Sequence, residues 1–240
     1  MELVLEIVEH FSFGQFNSKD EGFYLIEHEA PSPDEKEIIE TLPFMQGQLD
    51  FSMLLGERVF ENRSVTMKIW RPLTNYENRK LVEADAKSKL MLNGIQPVKD
   101  TYLENCHWLG KCKSVVADDK AETNTLTLTV VFDCYPFAIR NSIGYSDVFD
   151  EEYFTDGVDQ WTGFWVDGYK TVLIINDGMN ALNPKMDCTE PMVISANDRT
   201  LELKKGLNED ILFRFKRGLN YINIRGTGHI SFLMDVEVMA

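Results

Sequence analysis

The chain has 240 residues, 44% of them apolar and 26% charged, with a formal net charge of −15 at pH 7. That length supplies one large β domain or two ordinary ones, and no run approaches the roughly 18 apolar residues of a membrane-spanning helix. So acidic a chain brings no surplus of Lys and Arg to displace counterions from phosphate, which argues against specific nucleic-acid binding. An acidic lining would instead let a duplex slide past without sticking.

The opening Met1-Glu2-Leu3-Val4-Leu5-Glu6 carries acids where a secretory signal has basic residues, so synthesis and folding in a cytoplasm are expected. A strand is read at Glu2–Val8. The next stretch, Phe11-Ser12-Phe13-Gly14-Gln15-Phe16-Asn17-Ser18 with Gly22, is made of strand and turn residues and holds neither nucleophile, metal cage nor phosphate cradle. Further strands are read near Phe23–His28 and Asp50–Leu54. Between them, the excursion from Glu29 to Gly47 carries Pro31, Pro33, Pro43 and the acid-rich Asp34-Glu35-Lys36-Glu37, which makes it a poor interior strand. Loops that long are uncommon in compact domains unless they have a job, and Ile38, Ile39 and Leu42 give this one apolar surface to bury. Pro31, Pro33, Ile38, Ile39 and Leu42 are therefore a candidate inter-subunit arm; the alternative is a disordered loop.

Met67 and Ile69 alternate with Thr66, Lys68 and Trp70, and Leu126, Leu128, Val130 and Phe132 alternate with Thr127, Thr129 and Val131. Period two of this kind indicates sheet with one buried face. A strand is also read near Ser114–Ala117. One segment differs: about 76–92 there is no glycine or proline, and good helix formers dominate. Val82, Ala86 and Leu90 share a helical face, Thr74 or Asn75 can cap the start, and Asn93-Gly94 reads as a left-handed stop. Such a lone helix would pack across an open mouth of a barrel or sandwich.

After Cys134-Tyr135-Pro136-Phe137-Ala138-Ile139-Arg140 the chain turns polar and acidic, a plausible junction. Strands are then read at Trp161–Val166, Thr171–Asn176, Met192–Ala196, Leu201–Leu203, Asp210–Phe215, Tyr221–Arg225 and His229–Asp235. Turn residues at Asp177-Gly178, Asn197-Asp198, Lys205-Gly206, Arg217-Gly218 and Gly226-Thr227-Gly228 separate the later ones, the cadence of an antiparallel sandwich. The reading is an all-β chain with one packed helix, divided into domains 1–140 and 141–240.

Catalytic groupings are missing from the sequence. Cys106, His107 and Cys112 read as a loop whose spacing misses that of zinc knuckles, and a structural disulfide is not expected in a chain of this size and compartment. The histidines His10, His28, His107 and His229 are scattered, Ser195 lacks a nucleophile elbow, and no phosphate-binding glycine loop occurs. Asp147, Asp150, Glu151, Glu152, Asp156 and Asp159 lack the fixed spacing of a calcium loop and read as a solvated linker. Trp161, Phe164, Trp165 and Tyr169 form the densest aromatic group; core packing is the default, with Trp161 and Trp165 as candidate saccharide-stacking residues in the alternative. No catalytic residue, metal or cofactor is assigned.

The motifs Phe11-x-Phe13, Asn17-Ser18, Gly22, Leu42-Pro43, Gly47, Asp50-Phe51, Arg63-Ser64-Val65-Thr66 and Phe132-x-Cys134-x-Pro136 resemble the distal tail protein (tail hub, Dit) family of long-tailed siphophages of Gram-positive bacteria. Asn176-Asp177-Gly178, Pro184, Gly218-Leu219-Asn220-x-Ile222-x-Ile224 and Gly228-His229-Ile230-Ser231-Phe232 are similar to its second domain. In one departure, Phe44-Met45-Gln46 occupies a turn that often holds an early glycine. The resemblance implies an N-terminal split barrel or sandwich that forms a ring, usually hexameric, and a C-terminal galectin-like β-sandwich. It further implies a non-enzymatic virion protein of the phage tail tip, assembled in the host cytoplasm, with DNA passing through the bore. Its partners would be copies of itself, the tail tube protein, the tail-tip (tail-associated) protein, and receptor-binding or baseplate proteins. The alternative function is a carbohydrate-binding module for host cell-wall saccharide.

Overall fold

A computed structural model of the chain describes residues 6–54, 58–72, 75–103, 105–140, 160–197 and 199–240. It is all-β with one helix and divides into two compact units, Met1–Ala138 with Ala240 and Ile139–Met239. The Glu2–Leu5 part of the expected first strand and the acidic cluster Asp147–Asp159 lie outside the described residues; Glu6–Val8 is not strand. Among the described residues no helix is long and apolar enough to cross a membrane.

The first unit is built on one antiparallel sheet. Its strands are β1 (Phe11–Phe13), β2 (Phe16–Asn17), β3 (Tyr24–Glu29), β6 (Arg63–Pro72), β7 (Gln96–Asp100), β8 (Cys106–Lys120) and β9 (Thr125–Arg140), in the order β2-β1-β7-β8-β9-β6-β3. Alternation decides which face is core. β6 and β9 run in register from Arg63 opposite Cys134 to Pro72 opposite Thr125. Val65, Met67, Ile69, Leu126, Leu128, Val130 and Phe132 all point inward and are fully buried. Phe11 and Phe13 meet Phe132 edge-on, with ring centroids 5.8 and 5.1 Å apart, a favoured aromatic geometry.

The motif residues at the start of the chain build a tight double turn. Gly14, at φ +57, reverses β1 into β2. Buried Ser18 accepts the Phe11 N–H on its hydroxyl at 3.0 Å and exchanges backbone bonds with Phe11 and Phe23. These residues serve the fold, which accounts for the absence of chemistry among them.

Arg63 is buried and, among the described residues, forms no ion pair with an Asp or Glu side chain. Its guanidinium lies 4.5 Å from the Trp108 ring centroid and donates to the carbonyl oxygens of Ala30 and Pro136. Burial holds its pKa below the ordinary arginine value. The charge is thus met by a π face, by carbonyl dipoles and by the Ala240 oxygen, 2.8 Å from Arg63 Nη1.

Helix α1 (Tyr76–Met91) falls where the sequence placed it, with Asn75 as N-cap accepting the Asn78 N–H at 2.8 Å. It packs on β8 and touches edge strand β2. The expected face is shifted: Ala86 and Leu90 are buried, Val82 is half-buried, and Arg79 is buried instead. Asp119 and Asn124 hold the Arg79 guanidinium at 2.5 and 2.9 Å, so a charged residue joins the apolar stripe by ion pairing. The helix stop also differs from expectation. Leu92 is right-handed, Asn93 Nδ2 donates to the Lys89 carbonyl at 2.6 Å, and Gly94 is not left-handed.

Residues 30–62 leave this sheet. β4 (Ile39–Glu40) pairs with β5 (Leu49–Asp50) as a separate two-stranded hairpin. The strand expected at Asp50–Leu54 is therefore only the return leg of that hairpin, followed by turn, because its alternation faces no core.

The second unit is organised by β15 (Gly218–Leu233). Along one edge, β10 (Gly163–Asn176) pairs with it from Gly163 opposite Ser231 to Asn176 opposite Gly218. Along the other, β12 (Met192–Ala196) meets its first half and β11 (Lys185–Cys188) its second. β13 (Arg199–Leu203) and β14 (Gly206–Asn208) complete the order β13-β12-β15-β11-β14. Ile174, Met186, Ile194, Phe215, Ile222, Ile224, Ile230 and Phe232 fill one core.

Two pairs of expected strands are fused in the structure. Trp161–Val166 and Thr171–Asn176 belong largely to β10, and Tyr221–Arg225 and His229–Asp235 largely to β15. Gly226-Thr227-Gly228 is not a turn. Gly226 and Gly228, at φ +142 and +140, lie where neighbouring chain crosses the strand. A Cβ at Gly226 would meet Met192 Cγ at 2.9 Å, and one at Gly228 would meet Thr189 Oγ1 at 2.7 Å. The expected strand Asp210–Phe215 is a turn instead, in which Asp210 Oδ1 accepts the Leu212 and Phe213 N–H groups at 2.7 and 3.1 Å. Phe213 and Phe215 are core residues delivered by that turn.

Gly228→Val is expected to destabilise the protein by about 2–4 kcal/mol, combining overpacking with a backbone angle that valine disfavours. Urea unfolding at constant slope is the measurement.

Candidate functional site

Two surfaces stand out, one in each unit. In the first unit the hairpin is a laddered arm. Glu61 N–H donates to the Asp34 carbonyl and Lys36 N–H to the Val59 carbonyl, both at 2.8 Å. The Ile38 N–H donates to Ser52 Oγ and the Ser52 N–H to Asp50 Oδ1, again at 2.8 Å. Those bonds from Ser52 hold the Asp50 carboxyl below its usual pKa. Glu35 and Arg58 form an ion pair near the base.

Of the five arm candidates, Pro31, Ile38, Ile39 and Leu42 are exposed, whereas Pro33 is buried and cannot reach a neighbour. The exposed apolar residues lie farther out along the hairpin. Phe44 at the tip is fully exposed with φ +69, and Leu54 and Met53 are also exposed. A bulky residue with positive φ is a genuine outlier, and it falls where the sequence pattern put an early glycine in doubt. Sequence reading missed Phe44 as a site residue, although the positional oddity was its signal.

In the second unit Trp161 and Trp165 are 57% and 73% exposed, and Tyr169 is 57% exposed. The default of core packing is therefore wrong for all three. Parity explains it: on β10 the even-numbered Val166, Val172 and Ile174 take the core, leaving the odd-numbered side chains outside. The structure brings Trp161 and Trp165 together with Gly163, Phe164, Lys170, Thr189 and His229 around an open cleft of about 730 Å³. The Trp165 and His229 rings meet edge-on at 5.1 Å. A Cβ at Gly163 would lie 3.1 Å from His229 Nε2, so the imidazole packs closely over the strand there.

Farther along the same face, Tyr169 lies opposite Arg225 and Thr171 opposite Asn223. Asn223 Oδ1 is 2.8 Å from both Tyr169 Oη and Thr171 Oγ1. The row continues onto β12, where Ser195 faces Asn223 and Val193 faces Arg225. Asn223 and Arg225 were not singled out from sequence. Their signal was the alternation Tyr221-Ile222-Asn223-Ile224-Arg225, which puts polar residues on the face opposite the isoleucines.

Cys106, His107 and Cys112 lie in β8 rather than a loop, and among the described residues no group of three or more His, Cys, Asp or Glu could hold a metal ion. Burial pushes the Cys112 and Cys188 thiols up to about 11 and Cys134 to about 12. These are protonated, unreactive thiols at neutral pH. His28 is not paired with its sequence neighbours; its Nε2 lies 3.4 Å from Asp100 Oδ2 and its ring stacks on Tyr102.

The fold has counterparts among solved structures. It is similar to the SPP1 Dit (gp 19.1) protein, described as a paradigm of the hub adsorption apparatus in phages infecting Gram-positive hosts. The TM-score is 0.62 and the identity 11%, over 94% of this chain and 98% of that one. Chains of the phage p2 baseplate in its activated conformation also align. The strontium form gives TM-score 0.40 and 9% identity over 96% of each chain; the calcium form gives 0.43 and 9% over 97% and 99%. No protein-family profile matches the chain, and no curated protein sequence does.

Two measurements check these placements. Trp165→Ala is expected to change stability by less than about 1 kcal/mol, whereas Ile224→Ala in the core costs about 2–5 kcal/mol; chemical denaturation separates them. Native Cys112, Cys134 and Cys188 are expected to react with iodoacetamide at pH 8 at least about 100-fold more slowly than in the unfolded chain. Because their folded pKa values lie above the unfolded ones, the associated stability is complete below about pH 8.5 and is lost as pH rises through 11–12.

Proposed function

We propose that this chain is a non-enzymatic structural subunit of a phage tail tip, a hub that closes into a ring. The ring, hexameric in this reading, joins the tail tube to the tail-tip protein and to receptor-binding or baseplate proteins. The first unit closes the ring and the second meets the outer partners. The observation that carries the reading is the fold likeness to SPP1 Dit over nearly the full length of both chains.

The exposed hairpin supplies the physical means. Monomeric proteins rarely leave a contiguous apolar patch of several hundred Å² uncovered. Ile38, Ile39, Leu42 and Phe44 project from a laddered arm that buries none of them in its own sheet. A second copy of the chain is the occupant that repeats this contact around a rotation axis, giving a heterologous interface that closes. The net charge of −15 suits a bore through which DNA passes without sticking.

Light scattering on the purified chain, alone and co-expressed with a tail-tip protein, tests the assignment. A ring-sized particle is expected, and a strict monomer under both conditions would count against it. The double substitution Leu42→Ser with Phe44→Ser should weaken assembly by about tenfold or more while leaving the melting temperature within a few degrees of the parent, since both side chains lie outside the core.

A further inference from the structure

We propose that the outer face formed by β10, β15 and β12 binds a short neutral oligosaccharide of pyranose sugars. A pyranose ring offers an apolar C–H face and a rim of hydroxyls that both donate and accept. A matching protein surface needs exposed flat rings beside fixed polar groups of both kinds, and this face has them.

Trp165 and Tyr169 lie four residues apart on β10, about 14 Å at the rise of an extended strand. That spacing accommodates more than one sugar unit between the two ring platforms. Asp167 sits exposed between them and opposite Thr227, an acceptor for sugar hydroxyls. The donors are Asn223 and Arg225. Asn223 Oδ1 is committed to Tyr169 and Thr171, which fixes the amide plane and leaves its N–H groups without a partner among the described residues. Arg225 forms no ion pair among the described residues, and its guanidinium lies 5.9 Å from the Tyr169 ring centroid. Ordering these groups before binding removes part of the entropic cost of capture.

The alternatives fit less well. A protein-docking core concentrates its aromatic anchors and depletes charge; here Asp167, Asn223 and Arg225 separate Trp165, Tyr169 and Tyr221, and the apolar Leu173 and Leu219 lie apart at the far end of the face. Nucleic acid is disfavoured by the net charge of −15. The cleft of about 730 Å³ lies within the usual volume of small-ligand sites and shares Trp165 and His229 with that face.

The inference does not rest on the hub reading, because glycan binding and ring assembly are read separately. The full chain is applied to a printed array of neutral pyranose oligosaccharides, and the best binder is titrated by tryptophan fluorescence. Quenching with a Kd between about 10 μM and 1 mM is expected. Trp165→Ala and Asn223→Ala should each weaken binding about tenfold or more without lowering the melting temperature, while Leu207→Ala, exposed on β14, should leave it unchanged. Three results overturn the inference: no glycan retained, binding indifferent to both Trp165→Ala and Asn223→Ala, or retention of anionic glycans alone. Loss of a protein contact in Trp165→Ala, with no glycan bound by the parent, also overturns it and reassigns the face to protein docking.

Discussion

The second unit depends on the register between β10 and β15. Because side chains alternate across a strand, one slip of a residue would exchange Ile222 and Ile224 for Asn223 and Arg225 in the core. The pairing is held from both ends of a 14-residue strand, and β15 is clamped again on its far edge by β11 and β12. Gly226 and Gly228 permit that clamp, since only a residue without Cβ lets Met192 and Thr189 approach so closely. The outer row and the inner core are therefore two consequences of one alignment.

The first unit meets a different constraint. Its core is assembled from phenylalanines and branched aliphatics contributed by strands far apart in sequence, and it holds two buried arginines, Arg63 among Trp108 and backbone carbonyls and Arg79 paired with Asp119. Everything that core can use is already inside it. The residues of the β4–β5 hairpin are left over, apolar but excluded, and the arm's own bonds keep them presented rather than collapsed. The two units thus differ in what they expose, an apolar hairpin in the first and a polar and aromatic sheet face in the second.

Much of the architecture was legible in the sequence for a simple reason: period-two alternation in β6, β9 and β12 and the breaker-free stretch of α1 are local signals. Misreadings arose where a residue's role came from distant chain. Gly226 and Gly228 read as turn residues because glycine has two uses, and only the crossing at Thr189 and Met192 tells them apart. Arg79 broke the helical stripe because Asp119 and Asn124, some forty residues on, neutralise it. Trp165 and Tyr169 read as core, but which side of the strand faced inward depended on Val172 and Ile174 filling the interior. Pro33 shared its neighbours' composition and not their exposure.

Phe44 carries a consequence of its own. Its backbone occupies a conformation that costs a side-chain-bearing residue roughly 1–2 kcal/mol relative to glycine, and its ring recovers none of that from the protomer to which it belongs. Exchange to glycine would relax the isolated molecule while erasing whatever the ring gains elsewhere. The fold thus bears a backbone cost at this position for a ring that stays on its surface.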